Sequence, residues 1–369
     1  MTDWDVAIIG GGPAGLSAAY EAARRGARTV VLEKATHPRY KTCGGGLIGH
    51  SVAAVADRIT IPADDRVERA DFTHDGKAAF TKTGGPLLTM VRRSAFDDAL
   101  RQAAEKAGAT VLQATPARAV EQDEGGVRIR LAGDTAVTAA VAIGADGSSG
   151  ITARHVGVEY GQVDLGLEVE LPVDRARQEQ WRGRLLIDWG PLPGSYAWVF
   201  PKGDQLTVGV ISARGDGERT KAYLRSFVDR LGLSGIEPVH DSGHLTRCRT
   251  ERSPLRKGNV LVAGDAAGLL EPWTREGISF ATRSGALAGA AAAEGDLPRY
   301  ERDIEATLAP AMRAGTRLLA AFARHPRLFH NLLRTPPGWR MFERFCLGQT
   351  SFEGTVERFP VRQALRLLG

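Results

Sequence analysis

The residues best suited to chemistry in this chain of 369 residues are a cysteine and three glycines, Cys43-Gly44-Gly45-Gly46. A polarizable thiol beside residues that lack side chains allows the backbone to approach a flat ligand closely. The loop follows a glycine-rich turn, Gly10 to Gly15, and an acidic residue, Glu33. If this opening unit binds FAD, the flat ligand is the isoalloxazine ring, and the loop lies where redox chemistry takes place.

The glycine-rich turn has the spacing Gly-x-Gly-x-x-Gly and stands between an apolar run and a helical pattern. Its first glycine permits the tight turn, the second lets the backbone approach a pyrophosphate, and the third allows helix packing. The pyrophosphate would then meet the amino terminus of the helix. Glu33 lies where a carboxylate binds the ribose of the adenosine half. The expected nucleotide contacts are Gly10, Gly12, Pro13, Ala14, Gly15, Glu33, Lys34 and Ala117.

Two later motifs each place one carboxylate among small residues at the end of an apolar run. They are Gly144-Ala145-Asp146-Gly147 and Gly264-Asp265-Ala266-Ala267-Gly268. Folds of this kind bind ligands at the carboxyl edge of a parallel sheet, where a carboxylate can accept hydrogen bonds from ribityl hydroxyls. We therefore expect Asp146, Gly147, Gly264 and Asp265 to contact the cofactor. An aspartate that caps a helix is the alternative for either motif taken alone.

Hydrophobic periodicity predicts the elements that position these motifs. A strand, a helix and a strand over 5–10, 13–26 and 27–33 form a β-α-β unit with parallel strands. Further helices are predicted over 51–58, 94–107 and 277–293, and over most of the chain that follows. Strands are predicted over 110–112, 117–122, 127–131, 135–143 and 260–262, antiparallel strands within 164–211, and hairpins within 67–90 that break at Asp75-Gly76 and Gly84-Gly85-Pro86.

The three glycine and aspartate motifs, in this order, resemble the flavoprotein fold of para-hydroxybenzoate hydroxylase over nearly the whole chain. The resemblance implies an α/β fold: a Rossmann-type FAD-binding domain with a discontinuous parallel sheet, an antiparallel-sheet substrate domain and a C-terminal helical region. It also implies that Arg93, in Arg93-x-x-Phe96-Asp97, reaches the flavin, with Arg92 as the alternative. The expected boundaries are 1–65, 90–160 and 250–298 for the FAD-binding domain, 66–89 and 161–249 for the substrate domain, and 299–369 for the helices.

A finer resemblance, to the geranylgeranyl reductase family, rests on three segments. They are the cysteine loop, the run Tyr196-Ala197-Trp198-Val199-Phe200-Pro201-Lys202, and Glu276-Gly277-Ile278. The resemblance implies flavin contacts at Cys43, Gly44, Gly277 and Ile278, and a substrate cavity lined by Tyr196, Trp198 and Phe200. Cys43 is then the leading catalytic candidate. The alternatives are that Cys43 is a buried small hydrophobe and that the aromatic run is an ordinary core strand.

This resemblance implies an FAD-dependent oxidoreductase that reduces carbon–carbon double bonds of a prenyl chain by hydride transfer from N5 of reduced flavin. A proton must reach the neighbouring carbon, and Cys43, Tyr196 or an ordered water are the candidate donors. Because the sequence contains no second β-α-β unit with a Gly-x-Gly-x-x-Gly turn, and therefore no separate NADPH domain, we expect NAD(P)H or a ferredoxin to dock transiently as the electron donor.

Departures from the family pattern leave a second function open. The prenyl reductases commonly have Gly-Glu-Gly-Ile, and Arg275 replaces the first glycine. The aromatic run also resembles the Trp-x-Trp-x-Ile-Pro signature of flavin-dependent halogenases, although no segment matches their catalytic lysine. The Gly-x-Gly-x-Asn run of aromatic hydroxylases is replaced by Arg275-Glu276-Gly277-Ile278-Ser279. The alternative is therefore an FAD monooxygenase or halogenase that acts on an aromatic natural product.

Composition and charge restrict location and partners. The net charge is +5, and residues 299–369 carry twelve arginines against six acidic residues. This excess is either a solvated helical face or a surface for an anionic membrane or an acidic redox partner, and no motif for nucleic acid accompanies it. Three cysteines without Cys-x-x-Cys spacing predict no metal site. The first strand begins close to Met1 and no apolar run could span a membrane, so we expect a cytoplasmic protein, with the membrane surface as the alternative.

Overall fold

A computed structural model describes residues 3–133, 135–215 and 217–356, so the end of the predicted helical region, residues 357–369, lies outside the described residues. The strands are β1 (Trp4–Ile9), β2 (Thr29–Leu32), β3 (Gly46–Leu47), β4 (Asp65–His74), β5 (Lys77–Met90), β6 (Thr110–Leu112), β7 (Ala119–Asp123), β8 (Gly126–Arg130), β9 (Ala136–Gly144), β10 (Tyr160–Pro172), β11 (Arg184–Trp189), β12 (Tyr196–Lys202), β13 (Gln205–Ala213), β14 (His240–Arg249), β15 (Arg256–Lys257) and β16 (Val260–Val262). The helices are α1 (Pro13–Ala23), α2 (Gly49–Ala53), α3 (Arg93–Lys106), α4 (Ile151–Val156), α5 (Arg175–Trp181), α6 (Gly217–Arg230), α7 (Ile278–Glu294), α8 (Leu297–Thr307), α9 (Ala309–Arg324), α10 (Pro326–Arg334), α11 (Pro336–Cys346) and α12 (Glu353–Val356), with a 3₁₀ turn over Gly264–Ala267.

The first sheet contains the predicted β-α-β unit. Its strands run in the order β15-β16-β9-β1-β2-β6, and β16, β9, β1, β2 and β6 are parallel. The antiparallel pair β7 and β8 extends from β9. The inner strands β1 and β2 are fully buried at their carboxyl ends, as expected for a parallel sheet that is covered on both faces. These strands deliver the three predicted nucleotide motifs to one edge of the sheet.

Helices α1 and α7 cross closely at this sheet because glycines on α7 remove the intervening side chains. A Cβ at Gly285 would lie 2.0 Å from the carbonyl oxygen of Ala14, and a Cβ at Gly289 would lie 2.2 Å from that of Ala18. The backbones can therefore approach only if both positions lack side chains. This contact fixes the start of α7, which follows Gly277, relative to the start of α1.

The second sheet has the order β14-β10-β13-β12-β11-β4-β5-β3. Its pairs are antiparallel, as predicted, except that β4 and β11 run parallel. The two-residue strand β3 comes directly from the cysteine loop and pairs with β5, so it joins this sheet although the sequence assigned it to the FAD-binding domain. The predicted division into domains therefore remains a proposal, with the cysteine loop at the boundary between the two sheets.

Two local predictions need correction. The helix expected over 51–58 ends earlier, since α2 spans only Gly49–Ala53. The glycines at 84 and 85 do not end a hairpin, because β5 continues through them to Met90. A Cβ at Gly84 would lie 2.3 Å from Oε1 of Glu343 on α11, so this glycine allows a helix to approach the strand. A pair of glycines that ends a hairpin and a pair that lets a helix approach a strand cannot be distinguished from the sequence.

The C-terminal helices share a hydrophobic core with the second sheet. Phe72 on β4 and Trp189 on β11 pack against Phe322 on α9 and Phe342 on α11, with ring centroids 5.1–6.0 Å apart along this chain of contacts. These helices are therefore part of the same packed body as the sheet. Within residues 3–133, 135–215 and 217–356, no helix is both long and apolar enough to cross a bilayer.

Candidate active site

The glycine-rich turn between β1 and α1 forms a backbone cradle. At Gly10 φ is +106°, and a Cβ there would lie 2.3 Å from the carbonyl oxygen of Ala145. At Gly15 a Cβ would lie 1.9 Å from the carbonyl oxygen of Gly10. Helix α1 begins at Pro13, and Gly12 before it supplies no capping side chain, so the first N–H groups are open to an anion. The cradle therefore fits the pyrophosphate of FAD.

Glu33 is buried beside this turn, at the end of β2. Its Oε2 accepts a hydrogen bond of 2.6 Å from the Gly11 N–H, and its Oε1 accepts one of 2.8 Å from the Ala35 N–H. The carboxylate thus reaches the cradle, while its contact with a ribose remains a prediction. Of the other two expected adenosine contacts, Lys34 is exposed and Ala117 is partly buried in the segment between β6 and β7.

Asp146 follows the capping alternative. Its Oδ2 accepts hydrogen bonds from the N–H groups of Ile151 (2.7 Å) and Thr152 (3.1 Å), and its Oδ1 accepts one from the Thr152 hydroxyl. Burial raises the pKa of the Asp146 carboxyl, although these hydrogen bonds act to lower that pKa. The side chain therefore holds the start of α4, with Gly147 at φ +81° in the turn before it. These hydrogen bonds explain the position of Asp146 without a ligand, so its contact with the flavin remains a prediction.

Asp265 is available as an acceptor. A third of its side chain is exposed, and Nε2 of His244 lies 3.5 Å from its Oδ2. Nζ of Lys41 lies 3.2 Å from Nδ1 of the same histidine. Burial would raise the pKa of Asp265, but the His244 ring and then Lys41 and Arg93 outweigh burial and lower that pKa. An ionised carboxylate at the edge of the parallel sheet suits the ribityl hydroxyls of FAD.

The predicted glycines bring Asp265 next to the cradle. Gly264 has φ +55°, and a Cβ there would lie 2.9 Å from the Cβ of Ala14 on α1. A Cβ at Gly277 would lie 3.6 Å from Oδ1 of Asp265. Ile278, the first residue of α7, is buried. The structure therefore brings the first and third motifs together at one place, as expected for one extended dinucleotide.

Arg93, rather than Arg92, faces the cysteine loop. Its guanidinium forms a bidentate pair with the buried Asp97, with both N–O distances 2.8 Å. Burial would lower the pKa of Arg93, but the Asp97 carboxylate and the Cys43 thiol outweigh burial and raise that pKa. Arg92 instead forms ion pairs with two acidic side chains elsewhere, Asp64 and Asp204. A permanently charged Arg93 beside Cys43 fits a group that reaches the flavin.

The aromatic strand β12 meets the cysteine loop. Tyr196, Trp198 and Phe200 lie on one face of β12, with successive ring centroids 5.9 and 6.2 Å apart. A Cβ at Gly44 would lie 2.9 Å from the Phe200 ring and 3.4 Å from Nε1 of Trp198. Cys43 itself is partly buried. The cysteine loop therefore packs against two aromatic rings. The residues predicted to contact the flavin thus lie next to those predicted to contact the substrate.

These features agree with the comparisons to known proteins. A protein-family model described as an FAD binding domain matches residues 3–289. A curated relative, the digeranylgeranylglycerophospholipid reductase of Methanoculleus marisnigri, is 31% identical over 79% of this chain and 77% of its own length. The chain belongs to the geranylgeranyl reductase family of FAD-dependent oxidoreductases. The cofactor and the fold class predicted from the sequence are thereby confirmed.

Two solved structures have the same fold as this protein, and each matches 99% of its chain. A geranylgeranyl bacteriochlorophyll reductase-like protein from Thermoplasma acidophilum has a TM-score of 0.78, 23% identity and 99% coverage of its own chain. A flavin-dependent brominase has a TM-score of 0.76, 19% identity and 97% coverage. Identities this low show the fold alone, and the fold is common to reductases and halogenases. The sequence relationship is therefore what favours a reductase.

Sequence reasoning gave no site role to four ionisable side chains that lie in this site, namely Lys41, Glu168, Lys202 and His244, and it assigned His244, near Asp265, to structure. Glu168 and Lys202 are buried at the cysteine loop, His244 lies beside Asp265, and Lys41 contacts His244. One signal was present, because Glu168 and Glu170 alternate with apolar residues in β10, which places two carboxylates on one face of a buried strand. Their partners lie too far away in sequence to be deduced.

Glu276 is a further acid that the sequence did not single out for chemistry. Its Oε1 accepts hydrogen bonds from the Ser279 N–H (2.7 Å) and the Ser51 hydroxyl (3.1 Å). Burial raises the pKa of this carboxyl to about 7. Glu276 lines a cavity of about 250 Å³ together with Glu271 and Arg283. A carboxyl that is part protonated at neutral pH thus lies directly before the predicted flavin contact at Gly277.

Arg275, the departure from the family pattern, has φ +56°, a backbone conformation that favours glycine. Its guanidinium is buried and donates to Oδ2 of Asp164 (3.1 Å) and to the carbonyl oxygens of Gly194 (3.1 Å) and Trp273 (2.7 Å). It also lies 5.8 Å from the centre of the Tyr196 ring. The arginine therefore keeps the loop conformation of a glycine and adds a buried ion pair to the second sheet.

Proposed function

We propose that this protein reduces carbon–carbon double bonds of a prenyl chain, with FAD bound along the glycine cradle and Asp265. The observation that carries the proposal is the contact of Gly44 with the Phe200 and Trp198 rings, because it sets an apolar aromatic face against the loop predicted to touch the flavin. An apolar face suits an isoprenoid chain. The 31% identical relative, a digeranylgeranylglycerophospholipid reductase, supports this substrate class.

The chemistry divides between cofactor and protein. Bound FAD, once reduced, supplies a hydride to one alkene carbon. The chain must exclude water and provide a proton to the neighbouring carbon, so that positive charge develops on the carbon that accepts the hydride. The rings on β12 exclude water from the face that they cover.

Of the candidate proton donors, we favour Cys43 over Tyr196. The Tyr196 hydroxyl donates to the carbonyl oxygen of Thr274, and burial raises its pKa above the ordinary value. This tyrosine is therefore a poor acid. Cys43 remains the proposed catalytic residue because its loop meets both Arg93 and the aromatic strand. Glu276 is positioned to renew protons from solvent through the cavity that it lines.

The test is anaerobic reoxidation of the reduced, FAD-loaded protein. Prenyl diphosphates, prenylated quinones and digeranylgeranyl phospholipids are offered in turn, and flavin absorbance and the saturated product are followed. The proposal expects reoxidation coupled to loss of the alkene, slowed in Trp198→Ala. If only oxygen reoxidises the flavin, and an aromatic substrate accelerates that reaction, the monooxygenase or halogenase alternative replaces it. NAD(P)H and a reduced ferredoxin, tested separately, identify the electron donor, which we propose to be one of the two.

We further propose that the protein is cytoplasmic and contacts an anionic membrane surface through α10. Leu328 and Leu332, one helical turn apart on α10, are 38% and 49% exposed, and Arg327 and Arg334 flank them. Exposed leucines next to arginines suit the interface of an anionic bilayer. The same positive charge would also suit an acidic redox partner.

Vesicle flotation tests this membrane contact with point variants, because removing the C-terminal helices would expose the core of the second sheet. Leu332→Asp should abolish flotation with anionic vesicles, whereas Val239→Asp, at another site that is 49% exposed, should not. Equal behaviour of the two variants would exclude α10 as the contact surface.

A further inference from the structure

The backbone of Cys43 is held from both sides by buried charged side chains of the second sheet. Its N–H donates to Oε1 of Glu168 on β10 at 2.6 Å. Its carbonyl oxygen accepts from Nζ of Lys202 on β12 at 3.2 Å. Each charged residue is only 2% exposed. Hydrogen bonds to charged partners are stronger than neutral ones, so the peptide groups on both sides of this cysteine have defined orientations.

The two charged groups belong to one buried network. Lys202 also pairs with Oε1 of Glu170 at 3.1 Å, and the Tyr40 hydroxyl lies 3.5 Å from Oε1 of Glu168. A buried ion pair gives little net stability compared with apolar side chains of the same size. Stability alone therefore does not account for placing two carboxylates and an ammonium beneath the cysteine loop.

The glycines that follow Cys43 fit the same surface. At Gly45 φ is +73°, and a Cβ there would lie 2.2 Å from the carbonyl oxygen of Val91 and 3.1 Å from Cε of Lys202. The loop therefore follows one narrow path between β5 and Lys202. With glycines alone, such a path would be entropically costly to maintain, and the charged contacts to Cys43 offset that cost.

We propose that Glu168 and Lys202 are positioning residues, which hold the Cys43 peptide groups so that the thiol stays between the Arg93 guanidinium and the aromatic strand. This inference uses the proposed flavin site for its location and does not depend on the identity of the substrate. The second sheet then determines directly the conformation of the cysteine loop. A substitution on β10 or β12 can then change the loop without touching the nucleotide cradle.

Protonation of Glu168 should weaken the contact. The pKa of the Glu168 carboxyl is raised, chiefly because the side chain is buried, and the nearby Glu170 carboxylate raises that pKa further. Lys202, the Cys43 N–H and Lys41 lower the pKa, but by less. Below its pKa the carboxyl loses the charge that strengthens the hydrogen bond to Cys43. The loop should thus be held less firmly at acidic pH, and a variant without a titratable group at 168 should not show this change.

Labelling of Cys43 with a thiol-specific disulfide reagent tests the proposal on the protein before FAD is added. Cys248 and Cys346 are buried, so Cys43 is the accessible target, and Cys43→Ser gives the background. Glu168→Met removes the acceptor and should increase the labelling rate about tenfold, the effect of losing a hydrogen bond to a charged group. Glu168→Gln keeps an acceptor oxygen and should return the rate to within about threefold of the original protein.

Asp71→Asn is the matched control, because it changes a buried carboxylate of the second sheet, on β4, that pairs with Arg184 and Thr81 rather than with Cys43 or Lys202. It should label at the original rate. The ratio of the original rate to that of Glu168→Gln, measured across pH, should change through the titration of Glu168, and this ratio cancels the ionisation of the thiol itself. Lys202→Arg should retain protection, and Lys202→Met should lose it.

Equal labelling rates in Glu168→Met and the original protein, at equal thermal stability, would overturn the proposal. So would an increase in Asp71→Asn as large as that in Glu168→Met. Because labelling needs neither flavin nor substrate, these outcomes are separate from those of the alkene-reduction assay. A protein that protects Cys43 as expected and yet reduces no alkene would refute the proposed function alone.

Discussion

Replacing Arg275 with glycine separates backbone strain from the buried ion pair. The substitution relieves the left-handed conformation at φ +56°, which for a residue with a side chain costs about 1–2 kcal/mol. It also removes the partner of Asp164, which is 3% exposed. Breaking a buried pair on one side costs about 3–5 kcal/mol because the remaining charge stays buried. The loss of the pair is therefore larger than the gain in backbone freedom.

The expected result for Arg275→Gly is a net loss of about 1–4 kcal/mol in the free energy of unfolding. Urea denaturation, followed by tryptophan fluorescence, measures it as a lower midpoint with an unchanged slope. Adding Asp164→Asn should recover part of the loss, because a neutral amide is less costly to bury than an unpaired carboxylate. Gln162 Nε2, 2.6 Å from Oδ2 of Asp164, limits the damage in the single variant.

Ala114→Gly is the matched control for the backbone contribution. Ala114 has φ +52° and is exposed, and its N–H hydrogen bond to the carbonyl oxygen of Ala35 does not involve its side chain. Relief of strain there should stabilise the protein by up to about 1 kcal/mol. If Arg275→Gly instead proves as stable as the original protein, then the Arg275–Asp164 pair contributes no more than the strain, and the reasoning above is refuted.

Two further predictions concern ionisation and the cradle. The pKa of Glu276 is raised from 4.5 to about 7, so the folded protein holds this proton more tightly, and about 3 kcal/mol of stability should be lost as pH rises through that interval. Glu276→Gln should flatten the fall of the thermal midpoint between pH 5 and 7; an unchanged slope would contradict the assignment. Gly10→Ala should lose FAD on gel filtration because of its clash with Ala145, whereas Gly26→Ala, at φ +87° with no neighbour within 4 Å, should keep FAD.

Local sequence patterns were enough to predict the elements that carry the site. The helix expected over 94–107 is observed at Arg93–Lys106, and the short strands Thr110–Leu112 and Val260–Val262 have the predicted bounds. In each case the apolar spacing and the flanking glycine act within a few residues. The aromatic strand was equally predictable, because alternation places its rings on one face.

The missing parts of the site depend on contacts between distant residues. Cys43 and Glu168 are 125 residues apart, and Lys41 and His244 are 203 apart. Both pairs form because the segment that precedes β3 packs against β10 and β14 of the second sheet. Nothing within either segment of the sequence indicates its partner. Asp146 shows the converse difficulty, since a Gly-Ala-Asp-Gly pattern at a strand end suits a ligand and a helix cap equally, and only its bonds to Ile151 and Thr152 distinguish the two.

The geometry of the cysteine loop also bears on how one fold serves different chemistries. The nucleotide cradle is made of backbone groups and of small residues, which any FAD protein of this fold needs, and it therefore leaves little freedom for change. The groups that reach Cys43 and the Glu276 loop come from elsewhere: Glu168 and Lys202 from β10 and β12, and Asp164, the partner of Arg275, from β10. Changes on the second sheet can then alter the reactive loop while the cradle keeps the cofactor, which is why similarity of fold alone does not separate a reductase from a halogenase.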